Sequence, residues 1–194
     1  MKNIKKFAVL VSGNGTNLQA LIDAIETKKL PAEISLVVSN SADAFAVQRA
    51  QNARIKTIVL ERKQGEKRDE YDCRLRETVA TFAVDYVFLL GWMRILTNSF
   101  LQHFTVLNLH PALPDTFIGV DCIEKQFNAF QNGEIHTCGI MTHFVPDEKV
   151  DRGPLIFSQT VPCYKGERLE CFEERVHQAE HALVVKTVEF LLKT

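Results

Sequence analysis

The sequence predicts an α/β protein with a doubly wound, mostly parallel, Rossmann-like sheet and helices on both faces. Short apolar runs alternate with segments whose apolar residues recur at helical spacing, which is the pattern of repeated strand–helix–strand units. A glycine-rich turn joins the first apolar run to the first helical segment. Of the 194 residues, 46% are hydrophobic and 24% are charged, so a globular domain can bury a substantial core.

The predicted strands are short runs rich in Val, Ile, Leu and Phe, and helical segments separate the early ones. The strands are residues 7–11, 34–38, 57–60, 86–90, 106–109, 139–145 and 154–161. The helices between the early strands are residues 18–27, 44–53 and 70–82. The short connection between the last two strands favours an antiparallel or irregular pairing. The final helix carries one apolar stripe, formed by Phe172, Val176, Ala179, Leu183, Val184, Val188 and Leu191.

Composition and patterning limit the organisation and the partners of the chain. No repeat, low-complexity stretch or linker divides it, so we predict a single domain over residues 1–194. The formal net charge of −1 gives no overall field that attracts nucleic acid or membranes. The five cysteines lack metal-ligand spacing and indicate reduced thiols. We expect a cytoplasmic protein, monomeric or homodimeric, that acts on small molecules and has no nucleic-acid, membrane or metal partner.

The run Val-Leu-Asn-Leu-His-Pro at residues 106–111 predicts a strand that ends in two polar side chains. Residues i and i+2 of a strand point to the same face, so Asn108 and His110 should project together where the strand meets its loop. Pro111 has no backbone N–H and ends the pairing. An amide beside a titratable ring at the carboxyl end of a strand is typical of an α/β active site. A polar strand end that arises by chance is the alternative.

The glycine-rich turn, Ser-Gly-Asn-Gly-Thr-Asn-Leu at residues 12–18, predicts an anion site at the start of a helix. A dinucleotide fingerprint needs a third glycine where Leu18 stands. A P-loop needs a lysine followed by Ser or Thr, which this turn lacks. We therefore predict that Gly15, Thr16 and Asn17 bind a single phosphate. The alternative is a tight turn in which Thr16 or Asn17 caps the helix.

Several charged residues are candidates whose roles the residue pattern leaves open. The loop between the last two strands can bring a carboxylate to the polar strand end, from Asp147, Glu148 or Asp151. Glu180 lies on the core-facing side of the last helix and needs a partner, either a ligand or a basic residue. Arg68 is either a solvated helix start or a further contact to a phosphate.

The segment Gly-Trp-Met-Arg-Ile-Leu at residues 91–96 combines aromatic, apolar and cationic side chains. Such a mixture suits an apolar pocket for a flat ligand with an anionic tail. The alternative is core packing with Arg94 on the surface. His143 lies inside an apolar strand, which favours a structural over a catalytic role.

Together these segments resemble the phosphoribosylglycinamide formyltransferases, a group within the folate-dependent formyltransferase family, over nearly the whole chain. The resemblance rests on residues 12–19, 91–96, 108–111, 151–154 and 176–181. The Asn-x-His-Pro segment with a later Asp is shared by several formyltransferases and indicates the reaction class. The Ser-Gly-Asn-Gly-Thr-Asn loop and the terminal Glu-His pair are more specific and indicate the ribonucleotide substrate.

The resemblance implies a formyltransferase fold and, without a metal, the transfer of a formyl group from 10-formyltetrahydrofolate to the amine of glycinamide ribonucleotide in purine biosynthesis. The N-terminal part would bind the ribonucleotide phosphate, and the C-terminal part would bind folate and carry catalysis. The implied catalytic residues are Asn108, His110 and Asp151. The implied substrate-binding residues are Gly15, Thr16, Asn17 and Arg68 for the phosphate and Glu180 for the ribose. The implied folate-binding residues are Met93, Arg94, Ile95, Leu96, Asn108, Val145 and Asp147.

In the implied chemistry, the amide N–H of Asn108 and a protonated His110 donate hydrogen bonds to the formyl oxygen as it becomes negative. A free histidine has a pKa near 6.5. Asp151 is therefore expected to keep His110 charged at neutral pH. Asp151 would also relay a proton through water from the attacking amine to the leaving folate nitrogen.

The chain departs from the family pattern near the catalytic segment. The family often shows Pro-x-Leu-Leu-Pro before an aromatic residue and a glycine, whereas residues 111–119 read Pro-Ala-Leu-Pro-Asp-Thr-Phe-Ile-Gly. Asp121 stands where a histidine is common, and Arg152 stands where a glycine often follows the acid. The alternative functions are another formyltransferase or a hydrolase that uses 10-formyltetrahydrofolate, and a non-catalytic nucleotide-binding homologue.

Overall fold

A seven-stranded sheet organises the part of the chain that the computed structural model describes, residues 4–193. The strands are β1 (Lys5–Val11), β2 (Ala32–Ser39), β3 (Thr57–Val59), β4 (Tyr86–Leu89), β5 (Val106–His110), β6 (Cys138–Phe144) and β7 (Leu155–Val161). Their order across the sheet is β3-β2-β1-β4-β5-β6-β7. The first five in this order pair in parallel, and β6 and β7 each run antiparallel to the preceding strand. The predicted mostly parallel sheet is confirmed, and so is the antiparallel pairing of the last two strands.

Residues 4–193 form six helices, five between strands and one after the last strand. They are α1 (Thr16–Glu26), α2 (Phe45–Asn52), α3 (Arg68–Ala80), α4 (Asn98–Leu101), α5 (Cys122–Asn132) and α6 (Leu169–Leu191). The sequence pattern predicts α1, α2, α3 and α6, but we do not predict α4 or α5 from it. A signal for α5 is present, because Ile123, Phe127 and Phe130 recur at helical spacing before Gly133, which ends the helix at a φ of 80°. In this part of the chain no helix is long and apolar enough to cross a membrane.

Both faces of the sheet are covered because alternate residues of the central strand enter different cores. Phe7, Val9 and Val11 pack into a cluster with α1, α5 and α6, whereas Ala8 and Leu10 pack into a second cluster with α3 and α4. All five side chains are fully buried. The central strand is therefore apolar on both sides, which explains its continuous apolar run. The predicted helices on both faces are confirmed.

The order of the strands reverses between β1 and β4, the place where an open α/β sheet forms a crevice for ligands. The loops that follow these two strands are joined by hydrogen bonds. The backbone N–H of Ser12 donates to the carbonyl of Gly91 at 3.0 Å, and the N–H of Met93 donates to the Ser12 hydroxyl at 2.8 Å. The glycine-rich turn and residues 91–96 consequently lie side by side.

Gly153 lets the loop after β6 return closely to the sheet. A Cβ at this position would lie 1.7 Å from the carbonyl oxygen of Phe144, which is backbone and cannot swing aside. We predict that Gly153→Ala lowers the free energy of unfolding by more than about 2 kcal/mol, measured by urea denaturation. Gly13→Ala is the matched control, because no atom lies within 4 Å of its Cβ. Equal stability of the two variants would contradict the steric argument.

Candidate active site

Three polar side chains meet at the carboxyl end of β5. The Asn108 side-chain nitrogen donates to Oδ1 of Asp151 at 3.0 Å, and Nδ1 of His110 lies 3.3 Å from the same oxygen. The prediction that Asn108 and His110 share one face of the strand is therefore confirmed. Of the three loop acids, Asp151 is the one that reaches them. Asp147 instead accepts the backbone N–H of Lys149 at 2.9 Å.

Asp151 is held by donors on both carboxylate oxygens. It adopts a left-handed backbone conformation with a φ of 53°, and its side chain is only 7% exposed. Oδ2 accepts the backbone N–H of Gly119 at 2.9 Å. Burial raises the pKa of this carboxyl, but the donors around it, the N–H of Gly119 among them, and the charge of His110 outweigh burial, so its pKa is lowered. Asp151 is consequently ionised at neutral pH.

His110 is almost completely buried, and both ring nitrogens face oxygen atoms. Nε2 donates to the carbonyl of Phe117 at 2.8 Å, while Nδ1 faces Asp151. Burial lowers the pKa of His110, and the charge of Asp151 and the Phe117 carbonyl offset only part of this shift. Burial thus opposes the expectation that Asp151 keeps His110 charged at neutral pH, whereas two oxygen partners suit a ring with a hydrogen on each nitrogen, so the expectation stays a prediction.

His143 is a fourth member of the cluster, although its place in an apolar strand favours a structural role. The antiparallel register places it directly opposite Asn108. Its Nε2 lies 3.2 Å from the Asn108 side-chain nitrogen and 3.6 Å from Oδ1 of Asp151. Sequence periodicity marks His143 as a strand residue, but only the pairing register shows which residue it faces.

The loop at residues 111–119, which departs from the family pattern, contacts the cluster through its backbone. The carbonyl of Phe117 binds His110, and the N–H of Gly119 binds Asp151. Asp121 follows this loop with a φ of 59°, and its side chain does not cap α5. Because backbone groups make the contacts, the altered side chains of this loop leave Asp151 and His110 with hydrogen-bond partners.

A second polar group joins the first and the last helix. Glu180 of α6 is 5% exposed, and its Oε2 accepts a hydrogen bond from the Asn17 side chain at 3.3 Å. The same oxygen lies 2.9 Å from Nδ1 of His177. This hydrogen bond raises the pKa of His177. The buried acid thus has a basic partner within the chain, and both residues line the same cavity as the catalytic cluster.

At Gly15 the glycine-rich turn adopts a backbone conformation, and a close contact, that favour glycine over any residue with a Cβ. Gly15 precedes α1 with a φ of 75°, and a Cβ there would lie 2.6 Å from the Cβ of Ala46. Arg49 of α2 binds this turn, with Nε donating to the carbonyl of Asn14 at 2.8 Å. Sequence reasoning does not identify this cation, because its contact depends on how α2 packs beside α1. Asn17 lines the cavity, whereas Gly15 and Thr16 lie outside its lining.

Arg68 lies away from the cavity lining and forms an ion pair with Glu148. The second oxygen of Glu148 accepts the backbone N–H of Asn98 at 3.1 Å. Arg68 is the first residue of α3 and its side chain is 46% exposed, so it is a solvated helix start that also pairs with an acid. Its contact connects the start of α3 to the loop that carries Asp151.

One cavity of about 650 Å³ is lined both by the cluster around Asp151 and by the pair of Asn17 and Glu180. Met93, Arg94, Ile95, Leu96, Val145 and Asp147 line it together with the catalytic cluster. Met93 and Ile95 are 68% and 46% exposed, whereas Leu96 is buried. The guanidinium of Arg94 lies 4.2 Å from the centre of the Tyr71 ring. Residues 91–96 therefore combine the predicted pocket wall with the alternative of core packing.

Among residues 4–193 no group of three or more His, Cys, Asp or Glu side chains is placed to hold a metal ion.

Comparisons with known proteins identify close relatives. A family model described as formyl transferase matches residues 5–188. The phosphoribosylglycinamide formyltransferase of Dictyostelium discoideum is 40% identical over 94% of this chain and 96% of that protein. The protein of the same name from Escherichia coli (strain K12) is 40% identical over 90% of this chain and 81% of that protein. The crystal structure of glycinamide ribonucleotide transformylase 1 from Geobacillus kaustophilus has a TM-score of 0.91 at 32% identity, covering 98% of this chain and 100% of that one.

The pair of Glu180 and His177 predicts a measurable titration shift. Glu180→Gln removes the negative charge that raises the pKa of His177, so the ring should titrate at a lower pH in the variant, measured by NMR. Because the folded-state pKa is raised, the pair stabilises the protein below the ordinary histidine pKa and loses this effect as pH rises through the raised value. The stability difference between the two proteins should shrink over the same range. His103, which is exposed, serves as the control, and an unchanged His177 titration would contradict the pairing.

Proposed function

The chain belongs to the formyl transferase family, and on that premise we propose that it is a phosphoribosylglycinamide formyltransferase of purine biosynthesis. It transfers the formyl group of 10-formyltetrahydrofolate to the amine of glycinamide ribonucleotide. One observation carries the proposal. The cluster of Asn108, His110 and Asp151 opens on the same cavity as the pair of Asn17 and Glu180. The groups proposed to carry the reaction and those proposed to bind the ribonucleotide thus share one crevice.

The ribonucleotide is placed by the first and the last helix. The N-terminus of α1 offers unpaired backbone N–H groups and a partial positive charge to the phosphate at Gly15, Thr16 and Asn17. Glu180 accepts hydrogen bonds from the ribose hydroxyls. Arg68 is the further phosphate contact in this proposal, and it can serve only after its ion pair with Glu148 opens.

The folate is placed by the wall of the cavity formed by residues 93–96, Val145 and Asp147. The exposed apolar side chains of Met93 and Ile95 supply a surface for a flat ring system. A volume of about 650 Å³ falls within the range of about 300–1,000 Å³ that is usual for small-molecule pockets. These features support a ring of pterin size beside the catalytic cluster.

Formyl transfer forms a bond between the amine nitrogen and the formyl carbon and breaks the bond between that carbon and the folate nitrogen. Asn108 and His110 donate hydrogen bonds to the formyl oxygen, which becomes negative as the amine attacks. His110 acts as the imidazolium that Asp151 stabilises, and it keeps both ring hydrogens throughout the step. Its Nε2–H, which faces the carbonyl of Phe117 in this structure, is the donor to the formyl oxygen. Asp151 accepts a proton from the amine through water and returns one to the folate nitrogen.

We also propose that the protein works in the cytoplasm on small molecules alone, as a monomer or homodimer. All five cysteines are free, which suits a reducing compartment. The formal net charge of −1 offers no overall attraction for nucleic acid. Size-exclusion chromatography with light scattering distinguishes the two oligomeric states.

The proposed activity predicts release of tetrahydrofolate that requires both substrates. We expect turnover when protein, 10-formyltetrahydrofolate and glycinamide ribonucleotide are mixed, and none when the ribonucleotide is omitted. Turnover without the ribonucleotide would identify a hydrolase. Binding of both ligands without turnover would identify a non-catalytic homologue.

Replacing Asp151 separates chemistry from binding. Asp151→Asn removes the proton acceptor and should lower kcat about 100-fold or more. The dissociation constant for glycinamide ribonucleotide, measured by calorimetry, should stay nearly unchanged, because Asn17 and Glu180 are intact. Asp43→Asn, which changes an exposed acid away from the cavity lining, is the control. Activity of Asp151→Asn at the level of the native protein would overturn the assignment.

A further inference from the structure

His143 is a buried histidine at the catalytic cluster with no role in the chemistry described above. Its side chain is only 1% exposed. Both ring nitrogens lie close to polar groups, Nδ1 at 2.8 Å from the carbonyl of Phe144 and Nε2 at 3.2 Å from the Asn108 side-chain nitrogen. A buried imidazole with two such partners is held in one orientation, so its protonation pattern can be derived from their chemistry.

The partners determine which nitrogen of His143 carries hydrogen. A carbonyl oxygen only accepts hydrogen bonds, so Nδ1 must donate to Phe144 and carries a hydrogen. An amide nitrogen only donates, so Nε2 must accept from Asn108 and carries none. His143 is consequently the neutral tautomer with its hydrogen on Nδ1.

The orientation of the Asn108 amide follows from the same contacts. If the amide were turned by 180°, its oxygen would face the carboxylate of Asp151 at 3.0 Å. Both oxygens are acceptors, so Asp151 would repel the turned amide whatever the state of His143. The nitrogen therefore faces the cluster, with one hydrogen directed to Asp151 and the other to His143.

We propose that His143 is a positioning residue that keeps Asn108 in the orientation that presents its N–H groups to the reaction. Asp151 already attracts one amide hydrogen, and the neutral His143 holds the second in the cluster. A neutral imidazole competes less strongly than a carboxylate for a donor. The Asn108 hydrogen that points to His143 is therefore the one that Asn108 can redirect to the formyl oxygen as a hydrogen-bond donor. This inference rests on the proposed function, and it adds the group that prepares the amide donor.

A charged His143 that donates to Asp151 is the competing arrangement. Nε2 and Oδ1 of Asp151 are 3.6 Å apart, beyond the length of an N–H···O hydrogen bond. A hydrogen on Nε2 would also face the donor nitrogen of Asn108 at 3.2 Å. Another titratable neighbour is His110, whose Nδ1 lies 3.3 Å from the Asp151 Oδ1 that Nε2 of His143 also approaches. A charged His143 would be repelled by an imidazolium at His110.

The first test is spectroscopic and independent of activity. In ¹⁵N-labelled protein without added ligand, two-bond ¹H–¹⁵N correlations report the protonation of each histidine nitrogen. We expect His143 to be neutral with hydrogen on Nδ1 at neutral pH, and both Asn108 side-chain hydrogens to exchange slowly with solvent. A hydrogen on Nε2, in either the other tautomer or the imidazolium, would overturn the proposal.

The second test compares two substitutions at the same position. His143→Phe removes the acceptor and should lower kcat by about 10- to 100-fold, the scale of a misplaced catalytic group. The KM for glycinamide ribonucleotide should stay within about twofold, because its binding groups are untouched. His143→Gln places an amide oxygen where Nε2 lies in the native protein. This restores an acceptor for Asn108 and should recover most of kcat. His103→Gln, at an exposed position, is the control.

The outcomes separate the positioning role from a merely structural one. A kcat for His143→Phe equal to that of the native protein would overturn the proposal. So would equal losses in the Phe and Gln variants when both are folded by circular dichroism. If His143→Phe does not fold, the tautomer of the native protein and the kcat of His143→Gln decide the question. Absence of formyl transfer by the native protein would refute the proposed function, whereas the tautomer measurement would still test the contacts of His143.

Discussion

The buried carboxylate of Asp151 is the group on which the site depends. A carboxylate that is only 7% exposed is costly unless donors surround it. Those donors come from separate parts of the chain: Asn108 and His110 at the end of β5, and the backbone of Gly119 in the following loop. Each contact that satisfies the carboxylate therefore also fixes a group that lines the cavity. The hydrogen bonds to Asp151 therefore determine both the stability and the geometry of the site.

Backbone contacts explain how the site accommodates an unusual loop sequence. The carbonyl of Phe117 and the N–H of Gly119 bind the catalytic pair, and neither contact depends on a side chain. Glycine serves a related purpose at two other positions. Gly15 allows the turn before α1 to approach α2, and Gly153 allows the loop that carries Asp151 to approach Phe144. Close approach of backbone segments thus shapes both the glycine-rich turn and the loop that carries Asp151.

The surroundings of two cavity histidines shift their pKa values in opposite directions. Burial lowers the pKa of His110, whereas a carboxylate partner raises the pKa of the half-exposed His177. His143 lies between a carbonyl oxygen and an amide nitrogen, which suits one ring nitrogen with a hydrogen and one without. Histidines of one crevice therefore meet three different sets of partners.

The sequence by itself determined the fold class, four of the helices, the shared face of Asn108 and His110, and the glycine-rich turn, because these depend on local periodicity and on the geometry of neighbouring residues. Only the tertiary structure decided that Asp151 rather than Asp147 or Glu148 reaches the cluster, that His143 faces Asn108, and that Arg68 pairs with Glu148. These contacts depend on strand register and on the path of a loop over the sheet. They join residues far apart in the chain, and no local pattern encodes such distances. The same holds for the pKa of His110, which burial by the assembled fold lowers against the charge of its neighbour.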